Sequence, residues 1–131
     1  MKKYDNFLSC FKILKSYDPQ LLKENVIYRM GVIGQLNLTF EFAWKLLQAV
    51  LLLHGVSQAQ SGSPREIVKL GFKAGFISDE EIWLDMLQQR NNLTHVYSEE
   101  NAENLLNSLI QSYIPALERF RRAMKEKIEE Q

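Results

Sequence analysis

The sequence predicts an all-α protein: an antiparallel up-and-down four-helix bundle of four to five helices. Three observations carry this. Apolar residues recur every three or four positions along nearly the whole chain, the spacing of one helix face. No alternating apolar run is flanked by Asn-Gly or Asp-Gly turns, so no strand signal competes. Two Ser-x-x-Glu boxes, Ser63 to Glu66 and Ser78 to Glu81, announce helix starts. The 131 residues suggest a single domain over 1–131, large enough to bury a real core.

The first helix carries the stripe Phe7, Phe11, Leu14 and Tyr17, widened by Leu8, and Asp18-Pro19 stops it. A second helix is expected from about Asn25 to His54. Its stripe is Ile33, Phe40, Trp44, Leu47 and Leu51, with Gly55 as the C-terminal cap. Gly31 and Gly34 weaken its start or admit a close backbone neighbour. Ser63 caps a short helix with Pro64 in its first position, and Gly75 ends it. The Ser78 box starts a helix with Ile82, Trp83, Met86 and Leu87 that reaches Arg90. The last helix begins near Ser98 with the stripe Leu105, Leu109, Tyr113, Leu117, Phe120, Met124 and Ile128. Pro115 should kink it. Three long helices, with the two capped ones forming the fourth layer, make the bundle.

Composition limits the function. Lys+Arg and Asp+Glu are both 16, a formal net charge of zero, so no global field would hold duplex DNA and any RNA contact must be local. Cys10 is the single cysteine, which excludes a disulfide framework within one chain and fits a reducing compartment. No signal peptide is visible after Met1-Lys2-Lys3, and the apolar run Ala49 to Leu53 is too short to span a bilayer. A cytoplasmic protein without membrane association is expected.

Most chemical motifs are missing. His54 and His95 lie in separate segments, with no His-x-x-x-His, Glu-x-x-His or Cys-x-x-Cys spacing, so no metal site is expected. No glycine-rich phosphate loop or nucleophile elbow occurs, and no cofactor is expected. His54 reads as a helix-end residue, Cys10 as a small core residue, and Glu80-Glu81 as carboxylates favouring a helix N-terminus. The C-terminal basics Arg119, Arg121, Arg122, Lys125 and Lys127 alternate with glutamates, the pattern of a solvated face. Trp44 and Trp83 lie on apolar stripes and read as core.

That leaves RNNLTHVY, Arg90 to Tyr97. On a continuous helix Arg90 and His95 would point roughly 140° apart. They converge only if the helix ends or distorts near Asn91 to Thr94, which the asparagines favour. A guanidinium binds phosphate through two parallel hydrogen bonds and keeps its charge. Histidine titrates near neutrality and can take a proton from a ribose 2′-hydroxyl. The set Arg90, Asn91 and His95 therefore suits metal-free RNA cleavage. By chemistry alone it suits still better a helix-end cluster in which His95 caps and Arg90 pairs with Asp85 or Glu99.

Arg90-Asn91, His95-Val96-Tyr97 matches an Arg-x4-His-x-Tyr pattern. With Phe40-Glu41-Phe42-Ala43-Trp44-Lys45 and the stretch from Ser63-Pro64-Arg65-Glu66 through Gly75-Phe76-Ile77 to Trp83-Leu84-Asp85-Met86-Leu87, it resembles the HEPN family (higher eukaryotes and prokaryotes nucleotide-binding). The branch is the bacterial nucleotidyltransferase substrate-binding proteins, which includes HepT-type toxins. The resemblance covers nearly the whole chain. It implies a homodimer whose two motifs face a shared cleft. It also implies a small nucleotidyltransferase antitoxin, encoded nearby. In HepT-type systems that partner transfers AMP to the motif tyrosine and silences a ribonuclease; by position the tyrosine is Tyr97. The resemblance gives Arg90 and His95 the catalytic work and Asn91 a supporting place. Other members are binding partners only, so the alternative is a non-catalytic subunit that holds nucleotide or substrate.

Overall fold

A computed structural model describes residues 1–91 and 99–130. Its order is α1 (Lys2–Lys15), α2 (Pro19–Glu24), α3 (Val26–Leu53), a 3-10 turn (Ser57–Gln60), α4 (Pro64–Lys73), α5 (Glu80–Asn91), α6 (Glu99–Ser108), a π turn (Leu109–Tyr113) and α7 (Ile114–Glu129). The expected all-α bundle is present, and no strand occurs among the described residues.

Helix α3 is the central post and touches α1, α2, α4, α5 and α7. Its contacts with α1 step in opposite directions along the two helices. The Cys10 carbonyl accepts from Gln35 Nε2 at 3.0 Å, while the Asp18 amide, beyond the end of α1, donates to Tyr28 Oη at 2.7 Å. Helices α5 and α7 are antiparallel by the same test: Tyr113 Oη bonds Asp85, and Arg119 Nη2 lies 2.6 Å from Asp79. By length and composition α3 could cross a membrane, longer than the run Ala49 to Leu53 suggested. Here Val32, Ile33, Leu36, Phe40, Ala43, Leu46, Leu47, Val50 and Leu51 bury one broad face of it in the core.

The core is built on aromatic rings. Trp83 is fully buried, with its ring centroid 5.9 Å from Phe40 and 4.8 Å from Phe120. Phe120 in turn meets Phe7 edge-on at 5.2 Å. The Trp83 indole nitrogen is sealed from solvent and has no hydrogen-bond partner among the described residues. It trades an unmet donor for ring packing.

The caps follow the sequence closely. Ser63 Oγ accepts from the Glu66 amide and Glu66 returns a bond to the Ser63 amide, both at 3.2 Å. Asn25 caps α3 by accepting from the Tyr28 amide at 2.9 Å. Gly55 and Gly75 take φ of +81° and +79°, the left-handed geometry that ends α3 and α4. Helix α5 begins one residue later than the Ser78 box places it. The Asp79 carbonyl accepts from Ile82 and Trp83, while the Asp79 carboxylate turns to Arg119. Gly31 and Gly34 face open space, so they admit no close neighbour. The close approach is at Gly71, where a Cβ would come within 2.8 Å of a Leu47 methyl. Ahead of Pro115 the helix loosens into the π turn. Proline has no amide hydrogen for the carbonyl four residues back, and its ring crowds that carbonyl.

His54 caps across helices. Its Nε2 lies 2.7 Å from the Lys127 carbonyl near the end of α7, with its ring edge-on to Phe76 at 5.4 Å. A carbonyl only accepts, so Nε2 carries the proton.

Candidate functional site

The described part of helix α5 runs to Asn91. Arg90 occupies its last turn, where a cation complements the helix dipole. Its side chain reaches across to the middle of α3. Nη1 lies 3.0 Å from Glu41 Oε2, and the guanidinium carbon sits 6.0 Å from the Phe40 ring centroid. Nη1 is sealed from solvent yet falls outside hydrogen-bond geometry. Charge rather than a directed bond therefore makes this contact.

Glu41 organises the site. Its Oε2 also accepts from Trp44 Nε1 at 3.1 Å, and Oε1 lies 3.2 Å from Lys45 Nζ. The spacing of three and four residues puts all three side chains on one face of α3. Burial pushes the Glu41 carboxyl up. The Trp44 and Lys45 hydrogen bonds and the Arg90 and Lys45 charges outweigh it, so the net shift is downward. Glu41 is thus a firm anion that fixes Arg90 at one end.

One carboxylate answers two cations, Arg90 and Lys45, so the cluster keeps a net positive charge. Arg90 and Glu41 side chains are each 30% exposed. The guanidinium has donors beyond the one facing Glu41. An anion, and a phosphate best by the guanidinium fork, is what the rim can take.

Of the residues singled out in the sequence, Arg90 and Asn91 lie in the last described turn of α5. His95 and Tyr97 lie outside the described residues. Arg90 does not pair with Asp85, which instead takes the Tyr113 hydroxyl; burial and that bond push the Tyr113 phenol up. Trp44 is half-buried and serves as a donor to Glu41, whereas the sequence stripe put it in the core. Glu41 was missed as a site residue, although it lies in the Phe40–Lys45 stretch that carried part of the resemblance. Among the described residues, no group of three or more His, Cys, Asp and Glu is arranged to hold a metal ion.

The family model for nucleotidyltransferase substrate-binding-like proteins matches residues 2–126. The chain belongs to this family. The match takes in α1 through most of α7, including the Glu41–Arg90 pair and the RNNLTHVY segment. A crystal structure of a protein from Thermus thermophilus is similar over 97% of each chain, with a TM-score of 0.65 and 24% identity. At that identity it speaks for the fold alone. No curated protein matches the chain. The family description associates the chain with a nucleotidyltransferase, as the sequence reading expected.

Proposed function

We propose that this protein is a HepT-like toxin of a toxin–antitoxin pair: a metal-independent endoribonuclease that acts as a cytoplasmic homodimer. The observation that carries the reading is Arg90, held by Glu41 in the last described turn of α5, with cationic donors left over for a phosphate. In the proposed reaction His95 takes the proton of a ribose 2′-hydroxyl. The 2′-oxygen attacks the adjacent phosphorus, and the bond to the 5′-oxygen breaks. The products are a 2′,3′-cyclic phosphate and a 5′-hydroxyl once that oxygen gains a proton. Arg90 offsets the charge that builds on the phosphoryl oxygens, and Asn91 supports the pair.

Tyr97 is the regulatory residue in this reading. The partner nucleotidyltransferase transfers AMP from ATP: the phenol oxygen loses its proton and bonds to the α-phosphorus, the α–β phosphoanhydride bond breaks, and pyrophosphate leaves. The added phosphate and bulk then fill the anion site beside Arg90 and exclude RNA. Expressed alone, the protein should arrest growth and leave RNA fragments with cyclic phosphate ends. His95→Ala and Arg90→Ala should each abolish both effects with the helical fold intact. Full toxicity in both variants would overturn the proposal.

A second reading rests on the family description: a non-catalytic subunit that binds nucleotide or substrate for the nucleotidyltransferase. The firm Glu41–Arg90 pair suits a binding site equally well. Tight binding to the partner with no RNA cleavage by the isolated protein would select this reading.

A further inference from the structure

A second arginine sits far from Arg90. Arg29 lies in the first turns of α3 and is only 9% exposed. It forms no side-chain hydrogen bond or ion pair among the described residues. The sealed, unpartnered side-chain nitrogens are those of Trp83 and Arg90, so the Arg29 nitrogens still meet solvent. They do so where Arg29 lines a cavity of about 540 Å³ between α2, the start of α3 and α6. Twelve residues of α3 separate Arg29 from Glu41, about 18 Å along the axis.

The lining combines charge with apolar wall. Lys23 is a second cation, Tyr17 and Leu106 give flat and apolar surface, and Asn107 and Glu103 stand at the α6 side. The carboxylates nearby do not neutralise Arg29. Asp18 caps α2 by accepting from the Gln20 and Leu21 amides, and Glu24 is bonded by Gln20. Glu103 lines the same cavity, is exposed, and makes no ion pair with Arg29. Arg29 therefore presents a solvated guanidinium to the cavity with no ion-pair partner among the described residues, so an anion there would displace water rather than a bound carboxylate. The volume lies within the roughly 300–1,000 Å³ of small-molecule sites.

We propose that this cavity binds a small phosphomonoester, its phosphate forked by Arg29 and reached by Lys23, its body against Tyr17 and Leu106. Phosphate is favoured over carboxylate because two cations, Arg29 and Lys23, line the cavity and the arginine fork matches two phosphate oxygens. The site is independent of the Arg90 cluster and of the ribonuclease reading.

Calorimetric titration of the full chain with AMP, inorganic phosphate, adenosine and acetate tests it. The wild type should bind AMP and inorganic phosphate but not adenosine or acetate. Arg29→Met should weaken AMP binding at least tenfold while circular dichroism shows an intact fold, and Arg29→Lys should lose less. Because the Arg90 rim can also take an anion, the titrations are repeated in Arg90→Ala, where the Arg29-dependent binding should persist and adding Arg29→Met should remove it; Glu103→Gln should tighten it. Stronger binding of AMP than of inorganic phosphate would assign a nucleotide-like body; equal binding would assign the phosphate head alone. Unchanged affinity in Arg29→Met, adenosine or acetate binding as tightly as AMP, or no phosphate binding by the wild type would each overturn it.

Discussion

Arg90 and Arg29 both lean on α3, and the protein treats them in opposite ways. Arg90 has a carboxylate at 3.0 Å and an aromatic ring beneath it, and both side chains of its ion pair stay 30% exposed. Arg29 is more deeply buried, at 9% exposed, with no partner among the described residues. A rim ion pair contributes little to stability but fixes where a charge points. A guanidinium that only solvent reaches, through a cavity and with no ion-pair partner among the described residues, keeps its donors open. The first arrangement positions a group for work, and the second waits for a ligand. Function is therefore read from what each arginine lacks as much as from what it touches.

The sharpest way to break this comparison is to remove what holds Arg90 in place. Phe40 has Arg90 as one neighbour and Trp83 as another. Trp83→Ala should cost about 3–5 kcal/mol, a large share of a domain's stability. It should also loosen Arg90 through Phe40. Trp83→Phe keeps a ring and removes the unpartnered indole donor, so its cost should stay below about 1.5 kcal/mol. Urea titration of both variants checks the pair of values. A small loss for Trp83→Ala would mean that the core does not brace the Arg90 rim.

The two arginines should next give stability changes of opposite sign. Arg29→Met removes a charge with no ion-pair partner among the described residues and should stabilise the apo protein by less than about 1 kcal/mol, because its nitrogens reach solvent. Arg90→Met should cost less than about 1 kcal/mol, since Glu41 retains Lys45 and Trp44. Thermal melts without phosphate would show it. A loss of stability in Arg29→Met would mean that the residue already has its counter-charge.

Much of the fold was legible in the sequence. The stripe Phe7, Phe11, Leu14 is buried as expected, and Ser63, Gly55 and Gly75 act at their predicted boundaries. Such signals are local: one turn of spacing or one cap decides them. The sites depend on partners far apart in sequence. Arg90 could be singled out by its chemistry, but its pairing with Glu41 spans from α5 to α3, beyond any local rule. Trp44 was placed in the core because its position on the stripe is apolar, yet the wheel position cannot show that α3 turns that edge toward the rim. Arg29 carries no sequence signal that singles it out, because the cavity it shares with α2 and α6 is a tertiary feature.

The smallest effect tests Glu41 as a positioning residue. Its carboxyl titrates lower in the folded chain than in the unfolded one, mainly because the Trp44 and Lys45 bonds and the Arg90 charge outweigh burial. Its contribution is therefore complete above the unfolded value of about 4.3 and is lost as pH falls through the lower folded value. With side chains 30% exposed, the contribution should be under about 1 kcal/mol. Glu41→Gln keeps an acceptor for Trp44 but removes the charge that anchors Arg90. It should flatten this acid-limb step in a pH series of urea melts. In the ribonuclease reading it should slow RNA cleavage about fivefold without abolishing it, because about 1 kcal/mol of transition-state positioning is at stake. A Glu41→Gln protein with the wild-type pH profile and the wild-type cleavage rate would reduce the Glu41–Arg90 pair to a surface contact, and the site would have to be rebuilt on Arg90 and Lys45 alone.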